Sequence, residues 1–252
     1  MRTYLSATDL ENKISLYFQP IVCAENEMIL KYEILARLFS EDGAEIYLPH
    51  QFIFHDEKDY YNKVFRVILK KAFAFIRSHP SVNVSINISF EDIYNAETSS
   101  FILSFLRNED ESVCKRITFE LLENRDGIDI EGIKSFFNEV LKCKAKTSLD
   151  DFGVGFSNFN RLLDFSFNYL KIDGKFVKNL NTDGVINKNY DILESIILFC
   201  KNQEIKIIAE WVENEKIAKL LKFSGVDYLQ GFYFSKPMPQ SYFEERGWRE
   251  TL

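Results

Sequence analysis

Strand-like and helix-like runs alternate along this chain of 252 residues, which predicts an α/β fold built on a parallel sheet. Two further observations narrow the expectation to a closed barrel. The length matches a barrel of eight strands and eight helices, about 250 residues. Polar residues also stand near the C-terminal ends of the strand-like runs, as they do when those ends converge on one mouth.

Leu16 to Val22 (L-Y-F-Q-P-I-V) is aromatic and β-branched, and Pro20 is expected at an edge or near the strand end. Ile29 to Leu38 fits strand or helix by composition. Its short distance from the first run favours a strand at its start, joined by a hairpin. Asp59 to Ser78 places Val64, Val67, Ile68, Ala72, Phe75 and Ile76 at helical spacing and stops at His79-Pro80. Val82 to Ser89 alternates, with Val82, Val84, Ile86 and Ile88 on one face and Asn83, Ser85, Asn87 and Ser89 on the other. A short helix over Phe101 to Arg107 precedes a strand from Arg116 to Leu122. Ile130 to Cys143 is a helix with an apolar stripe, and Ala145 to Asp150 a strand. A helical turn is expected over Asn158 to Leu163. Then come a strand at Tyr169 to Ile172, a helix at Tyr190 to Asn202 and a strand at Lys206 to Glu210. A helix at Asn214 to Phe223 ends near Gly225, Val226 to Gln230 is the last strand, and Gln240 to Arg246 is a terminal helix. Asn179 to Asn189, rich in Asn, Asp and Gly, reads as a surface segment. No linker or domain boundary interrupts the pattern, so residues 1–252 are expected to form a single barrel domain with no attached sensor.

The composition is 46% hydrophobic and 15% aromatic, with a net charge of −7. An acidic chain is a poor partner for polymeric nucleic acid. A small anionic substrate remains open if metal ions supply local positive charge. Cys23, Cys114, Cys143 and Cys200 are scattered with no C-x-x-C pair, which fits a reducing compartment. His50, His55 and His79 form no metal-binding pattern, so any metal is expected to take oxygen ligands, as Mg²⁺ or Mn²⁺ does. No apolar run approaches membrane-span length, and the N-terminus lacks a signal-peptide core. The cytoplasm is the expected location.

Ser148 to Phe159 (S-L-D-D-F-G-V-G-F-S-N-F) sits at the centre of the chemistry. Asp150 and Asp151 end an apolar run and a glycine-bearing loop follows. Such a pair suits a divalent cation facing a substrate; by itself it equally suits a solvated turn. The joint placement of other residues decides. Glu33, Asn87, Glu120, Asp150, Lys171, Glu210 and Gln230 stand at successive strand ends, mostly within the span of about thirty residues expected of one strand–helix unit. In a barrel, four carboxylates, two carboxamides and a lysine then share one cleft. That much negative charge calls for one or two divalent cations, which about 3.5–4 Å apart can clamp a phosphate and activate a water.

The chain resembles the EAL domain family of cyclic di-GMP phosphodiesterases from about Leu16 to Pro239. The matching segments are Phe18-Gln19-Pro20-Ile21-Val22, Glu33-Ile34-Leu35-Ala36-Arg37, Asn87-Ile88-Ser89, Glu120-Leu121-Leu122-Glu123, Asp150 to Ser157, Lys171-Ile172-Asp173, Ala209-Glu210-Trp211-Val212-Glu213 and Gln230-Gly231. The resemblance implies a modified TIM-like (β/α)8 barrel with one of the first strands antiparallel. It implies hydrolysis of cyclic di-GMP to linear pGpG with Mg²⁺ or Mn²⁺. By the same resemblance, Glu33, Asn87, Glu120 and Asp150 ligate a first metal and Asp151 serves a second. Lys171 holds the attacking water, and Glu210 is a general base or metal-site partner. Gln19, Leu35, Arg37 and Gln230 contact substrate, and Glu123 anchors the glycine loop. A homodimer formed near that loop is implied, and no GGDEF-type domain is expected. An unidentified regulatory protein is the other partner expected.

The departures from the pattern are Ile34 for alanine, Leu122 for threonine, Trp211 for glycine, and Asn168 and Gly174 for aspartate and arginine. Strand alternation sends Ile34 and Trp211 away from the lumen, toward the helices. Two further readings stand beside an active phosphodiesterase. One is a non-catalytic cyclic di-GMP receptor or protein-interaction module, suggested by Trp211, Leu122 and Gly174. The other is a metal-dependent barrel enzyme acting on a different substrate.

Overall fold

The hairpin expected at the start is the seam that closes the barrel. Strand β1 (Ile14–Cys23) runs antiparallel to β2 (Ile29–Phe39), with Gln19 opposite Glu33. The computed structural model describes residues 11–39, 45–47, 58–122, 130–152, 165–178, 180 and 188–248. Glu123, His50, His55, the glycine loop with its expected helical turn and dimer contacts, and most of the Asn179–Asn189 segment lie outside these residues.

From β2 the sheet continues in parallel through β4 (Val84–Ile88), β5 (Ile117–Leu121), β6 (Lys146–Phe152), β7 (Tyr169–Ile172), β8 (Lys206–Ala209) and β9 (Tyr228–Leu229). Strand β9 then pairs antiparallel with β1, closing a ring of eight strands in which β1 alone runs against its neighbours. Two short strands, β3 (Glu45–Tyr47) and β10 (Met238–Pro239), attach outside the ring to β2 and β1. Pro20 lies inside β1 rather than at its end. On the side away from β2, β1 pairs only through Tyr17 and Phe18 and through Val22 and Cys23. Pro20 falls in the gap, where no ladder on that side is interrupted.

Helices α1 (Lys58–Ser78), α3 (Ala96–Asn108), α5 (Ile130–Lys142), α7 (Lys188–Asn202) and α8 (Glu215–Ser224) surround the sheet. Shorter helices are α2 (Phe90–Tyr94), α4 (Glu111–Cys114), α6 (Gly174–Lys178) and α9 (Gln240–Arg246). Sequence periodicity does not reveal α2 and α4, which are too short to show a stripe. Ser89 and Asp92 close a capping box on α2. Gly225 ends α8 in the left-handed conformation, φ 91°, which glycine adopts without Cβ strain.

Three apolar clusters form among the described residues, one of them Ile14, Leu38, Val64 and Val67 where α1 meets β1 and β2. The large one lies between strands and helices and includes Phe18, Ile34, Phe75, Leu170, Ile207 and Ala209. A small one, formed by Ile21, Tyr169 and Ile208 with Leu30 and Tyr228 against them, floors the barrel lumen. Cys114 and Cys200 are buried, and all four cysteines are free. Among the described residues, no helix is long and apolar enough to cross a membrane.

Phe18 is fully buried, with its ring 4.6 Å from that of Phe75 and 5.0 Å from that of Trp248. Phe18→Ala is expected to cost about 3–5 kcal/mol, read as a lower urea midpoint at unchanged slope. A loss under about 1 kcal/mol would show that this side of the barrel does not carry its stability.

Candidate active site

The strand ends meet in a cleft of about 430 Å³ lined by Gln19, Glu33, Leu35, Asn87, Asp150, Asp151, Asp173, Glu210, Trp211, Glu213, Gln230, Gly231 and Phe232. Eight of the residues singled out in the sequence therefore share one opening. Lys171 and Glu120 lie beneath it, both essentially inaccessible to solvent. Arg37 follows Leu35 on the same face of β2. Its guanidinium donates to the Ala36 carbonyl at 3.0 Å and stands 5.5 Å from the Tyr17 ring, and it does not line the cleft.

Lys171 ties the set together. Its ammonium lies 2.8 Å from Glu210 Oε1, 2.9 Å from Glu120 Oε2, 3.1 Å from Asp150 Oδ1 and 3.4 Å from Glu33 Oε2. Burial alone would push a lysine pKa down; the four carboxylates outweigh it and hold this one well above its ordinary value. A second buried lysine, Lys31, lies 3.2 Å from Glu120 Oε1 and 4.2 Å from the centre of the Tyr169 ring. Desolvation pulls its pKa down to about 8. Burial also raises Glu120, but Lys171 and Lys31 overcome that and bring it to about 2. Lys31 could have been found in the sequence: it precedes Glu33 by two residues on one strand, so both face the lumen.

The mouth has no such balance. Burial raises Glu210 to about 7, with Lys171 opposing and Glu33 adding to the rise. Burial likewise holds Asp150 well above the carboxylate range, against the pull of Lys171. Asn87 Nδ2 donates to Glu33 Oε1 at 2.7 Å. Gln230 Nε2 donates to Glu33 Oε2 at 2.6 Å and to Gln19 Oε1 at 3.1 Å. These bonds leave the carboxamide oxygens Oδ1 of Asn87 and Oε1 of Gln230 buried with no hydrogen-bond partner. Oxygen atoms of Asp150, Asp151 and Glu210 lie within 4.8 Å of one another. Converging carboxylates beside an unpartnered neutral oxygen fit a hard divalent cation, which takes oxygen ligands.

Two backbone kinks shape this mouth. Asp151 has φ 54° and Trp211 has φ 56°, both left-handed. Each directly follows a cleft carboxylate, Asp150 or Glu210. Between Leu149 and Phe152, β6 slips in register against β7, as a bulge does. Asp150 and Asp151 thereby both line the cleft, which strict alternation forbids. Trp211 behaves likewise and corrects the expectation that it points to the helices: β8 ends at Ala209, and the indole is 55% exposed at the rim. Ile34, by contrast, packs in the outer core as expected. Gly174 and Trp211 prove to be one change rather than two. A Cβ built on Gly174 would overlap the indole, so the ring occupies the room of a side chain at 174.

A barrel mouth lined by converging carboxylates is suited to a divalent cation, and comparison with known proteins gives the family. Residues 4–237 match the EAL domain, and this chain belongs to the EAL domain family. Cyclic di-GMP phosphodiesterase PdeA of Borreliella burgdorferi is 33% identical over 89% of this chain and 34% of its own length. Cyclic di-GMP phosphodiesterase PdeB of Shewanella oneidensis is 30% identical over 93% of this chain and 28% of its own. The chain thus spans about a third or less of these relatives. The c-di-GMP complex of the PaMucR phosphodiesterase superposes with a TM-score of 0.79 at 25% identity, covering 92% of this chain and 99% of that one.

Two outcomes are expected. Glu210 is raised from 4.5 to about 7 on folding, so its contribution to stability is full below 4.5 and is lost as pH rises through 7. Metal-free urea melts from pH 4.5 to 8 will show a steeper decline for the parent than for Glu210→Gln; identical slopes would refute the shift. Gly174→Arg alone is expected to cost about 1–3 kcal/mol by overpacking against Trp211, and Trp211→Gly in the same chain to recover most of it. Additive losses in that double-mutant cycle would deny the contact.

Proposed function

We propose that this chain hydrolyses one phosphodiester of cyclic di-GMP to linear pGpG with the help of divalent cations, Mg²⁺ or Mn²⁺. The observation that carries the proposal is the complete acidic set gathered around Lys171 in one cleft. Asp150, Asp151 and Glu210 are the core of the cation site, with Glu33, Asn87 and Glu120 as its further ligands. Bound cations supply Lewis acidity and cancel the repulsion between an acidic cleft and a phosphate.

The chain's own residues then have distinct tasks. Glu210, which reaches the cleft beside Lys171, takes a proton from the attacking water. The Lys171 ammonium orients that water and offsets charge developing on the phosphoryl oxygens. The water oxygen bonds to phosphorus as the bond to the 3′-oxygen breaks, and the 3′-oxygen leaves and takes a proton from solvent water. The product keeps its 5′-phosphate, as pGpG requires. Gln19, Leu35 and Gln230 flank the substrate, and Arg37 is the next residue outward on the same strand face. Trp211 and Gly174 reshape the rim while leaving the acidic set whole, which supports turnover over a purely receptor role.

Incubation with cyclic di-GMP and Mg²⁺ or Mn²⁺ is expected to yield pGpG by chromatography. Binding without any pGpG at high protein concentration would assign a receptor instead. Glu33→Ala and Asp150→Ala should each lower turnover about a hundredfold or more while retaining the native circular dichroism. Undiminished turnover in both would remove them from the site.

A further inference from the structure

We propose that Trp211, with Phe232 on the same rim, is a stacking platform for a purine base of the dinucleotide, an inference that rests on the phosphodiesterase reading above. Both side chains line the cleft, and both are more than half exposed, 55% for Trp211 and 61% for Phe232. An aromatic ring left in water at the edge of a polar cleft contributes little to folding, and Trp211 also bears a left-handed backbone, φ 56°. A ligand that covers the ring accounts for both features.

The rim is built to hold these rings still. The Trp211 indole rests against Gly174, where any side chain would displace it. Lys178 Nζ lies 4.2 Å from the indole centre and is itself held 3.2 Å from Glu213. Lys236 Nζ stands 5.5 Å from the Phe232 ring centre. The two segments that carry the rings are laced together. The Val212 amide donates to the Gln230 carbonyl at 3.0 Å, and the Tyr233 amide donates to the Val212 carbonyl at 3.0 Å. Gly231 packs so closely on the Val212 backbone that a Cβ would collide with it. Preorganised rings lose little freedom on binding.

Chemistry points to a base rather than a phosphate. The cleft floor is acidic and repels phosphate until cations arrive. Stacking is indifferent to that charge, because every base presents a π-face. Trp211 therefore supplies affinity at the part of the substrate that the carboxylates cannot help.

The test is calorimetric titration of the full chain with cyclic di-GMP in EDTA, so that binding and not turnover is read. Trp211→Ala is expected to weaken binding about tenfold or more, and Trp211→Phe to stay within about threefold of the parent. A Trp211→Ala protein that binds within about twofold of the parent overturns the proposal, as does a Trp211→Phe protein equally weak. Trp211 and Trp248 are the two tryptophans, so Trp248→Phe isolates the rim indole. Its fluorescence should be quenched on addition of cyclic di-GMP, and an unchanged signal counts against stacking even if Trp211→Ala fails to fold. A parent that binds no cyclic di-GMP either in EDTA or with Ca²⁺ in its place, which removes the repulsion of phosphate by the acidic floor, refutes the platform. Turnover of bis(p-nitrophenyl) phosphate by the parent with Mn²⁺ then reports separately whether phosphodiesterase chemistry survives.

Discussion

One buried ammonium holds this cleft together. Lys171 reaches four carboxylates from four different strands or strand ends. Glu120 has no access to water, so its charge must be met inside the barrel, and Lys171 and Lys31 meet it. Removing one partner from such a buried group leaves the other uncompensated, typically a loss of about 3–5 kcal/mol. The same ammonium cannot satisfy everyone. Two lysines face four carboxylates, and the residue of negative charge collects at the mouth, on Asp150 and Glu210. Burial first, and the neighbouring carboxylates after it, raise the pKa of both. The raised values favour protons on the mouth at neutral pH.

The lumen is layered so that this imbalance is confined to one end. Ile21, Tyr169 and Ile208 form a dry floor. Above it Lys31 lies over the Tyr169 ring while its ammonium meets Glu120, joining apolar floor to charged middle. Glu33, Asn87, Asp150 and Glu210 come last, at the opening. A barrel with parallel strands suits this division, since one rim can be spent on stability and the other on chemistry. The antiparallel β1 does not disturb it: Gln19 stands opposite Glu33 and joins the Gln230–Glu33 hydrogen-bond chain.

Much of this was legible in the sequence, for identifiable reasons. Residues with period two on short strands can face only two ways, and barrel closure brings the inward ones together. Glu33, Asn87, Glu120, Lys171 and Gln230 followed from that rule, and Lys31 would have followed had it been applied one step further down the strand. The same rule failed where the strand stopped. Alternation sends Trp211 to the helix side only if Glu210 belongs to the strand, whereas β8 ends at Ala209. Pro20 is expected at an edge or near a strand end; it sits inside β1 where the side away from β2 is locally unpaired between β10 and β9, an edge made by closure and not legible in local sequence. The short helices α2 and α4 rest on caps and packing and carry no periodic signal.

The failures of alternation mark the chemistry. Asp151 and Trp211 are the described residues that adopt left-handed backbone directly after a cleft carboxylate. Each such residue costs roughly 1–2 kcal/mol relative to ordinary backbone. In return the chain turns so that two successive side chains face the same space, which no continuous strand permits. At Asp151 the second side chain is another carboxylate facing the cleft. At Trp211 it is an aromatic ring where the family pattern has glycine, a residue that adopts this φ without strain. The backbone there thus kept a conformation suited to glycine while gaining a side chain, and Gly174 lost one to make room. Strain retained at a cleft rim, with a compensating change across from it, is better explained by what the rim binds than by folding.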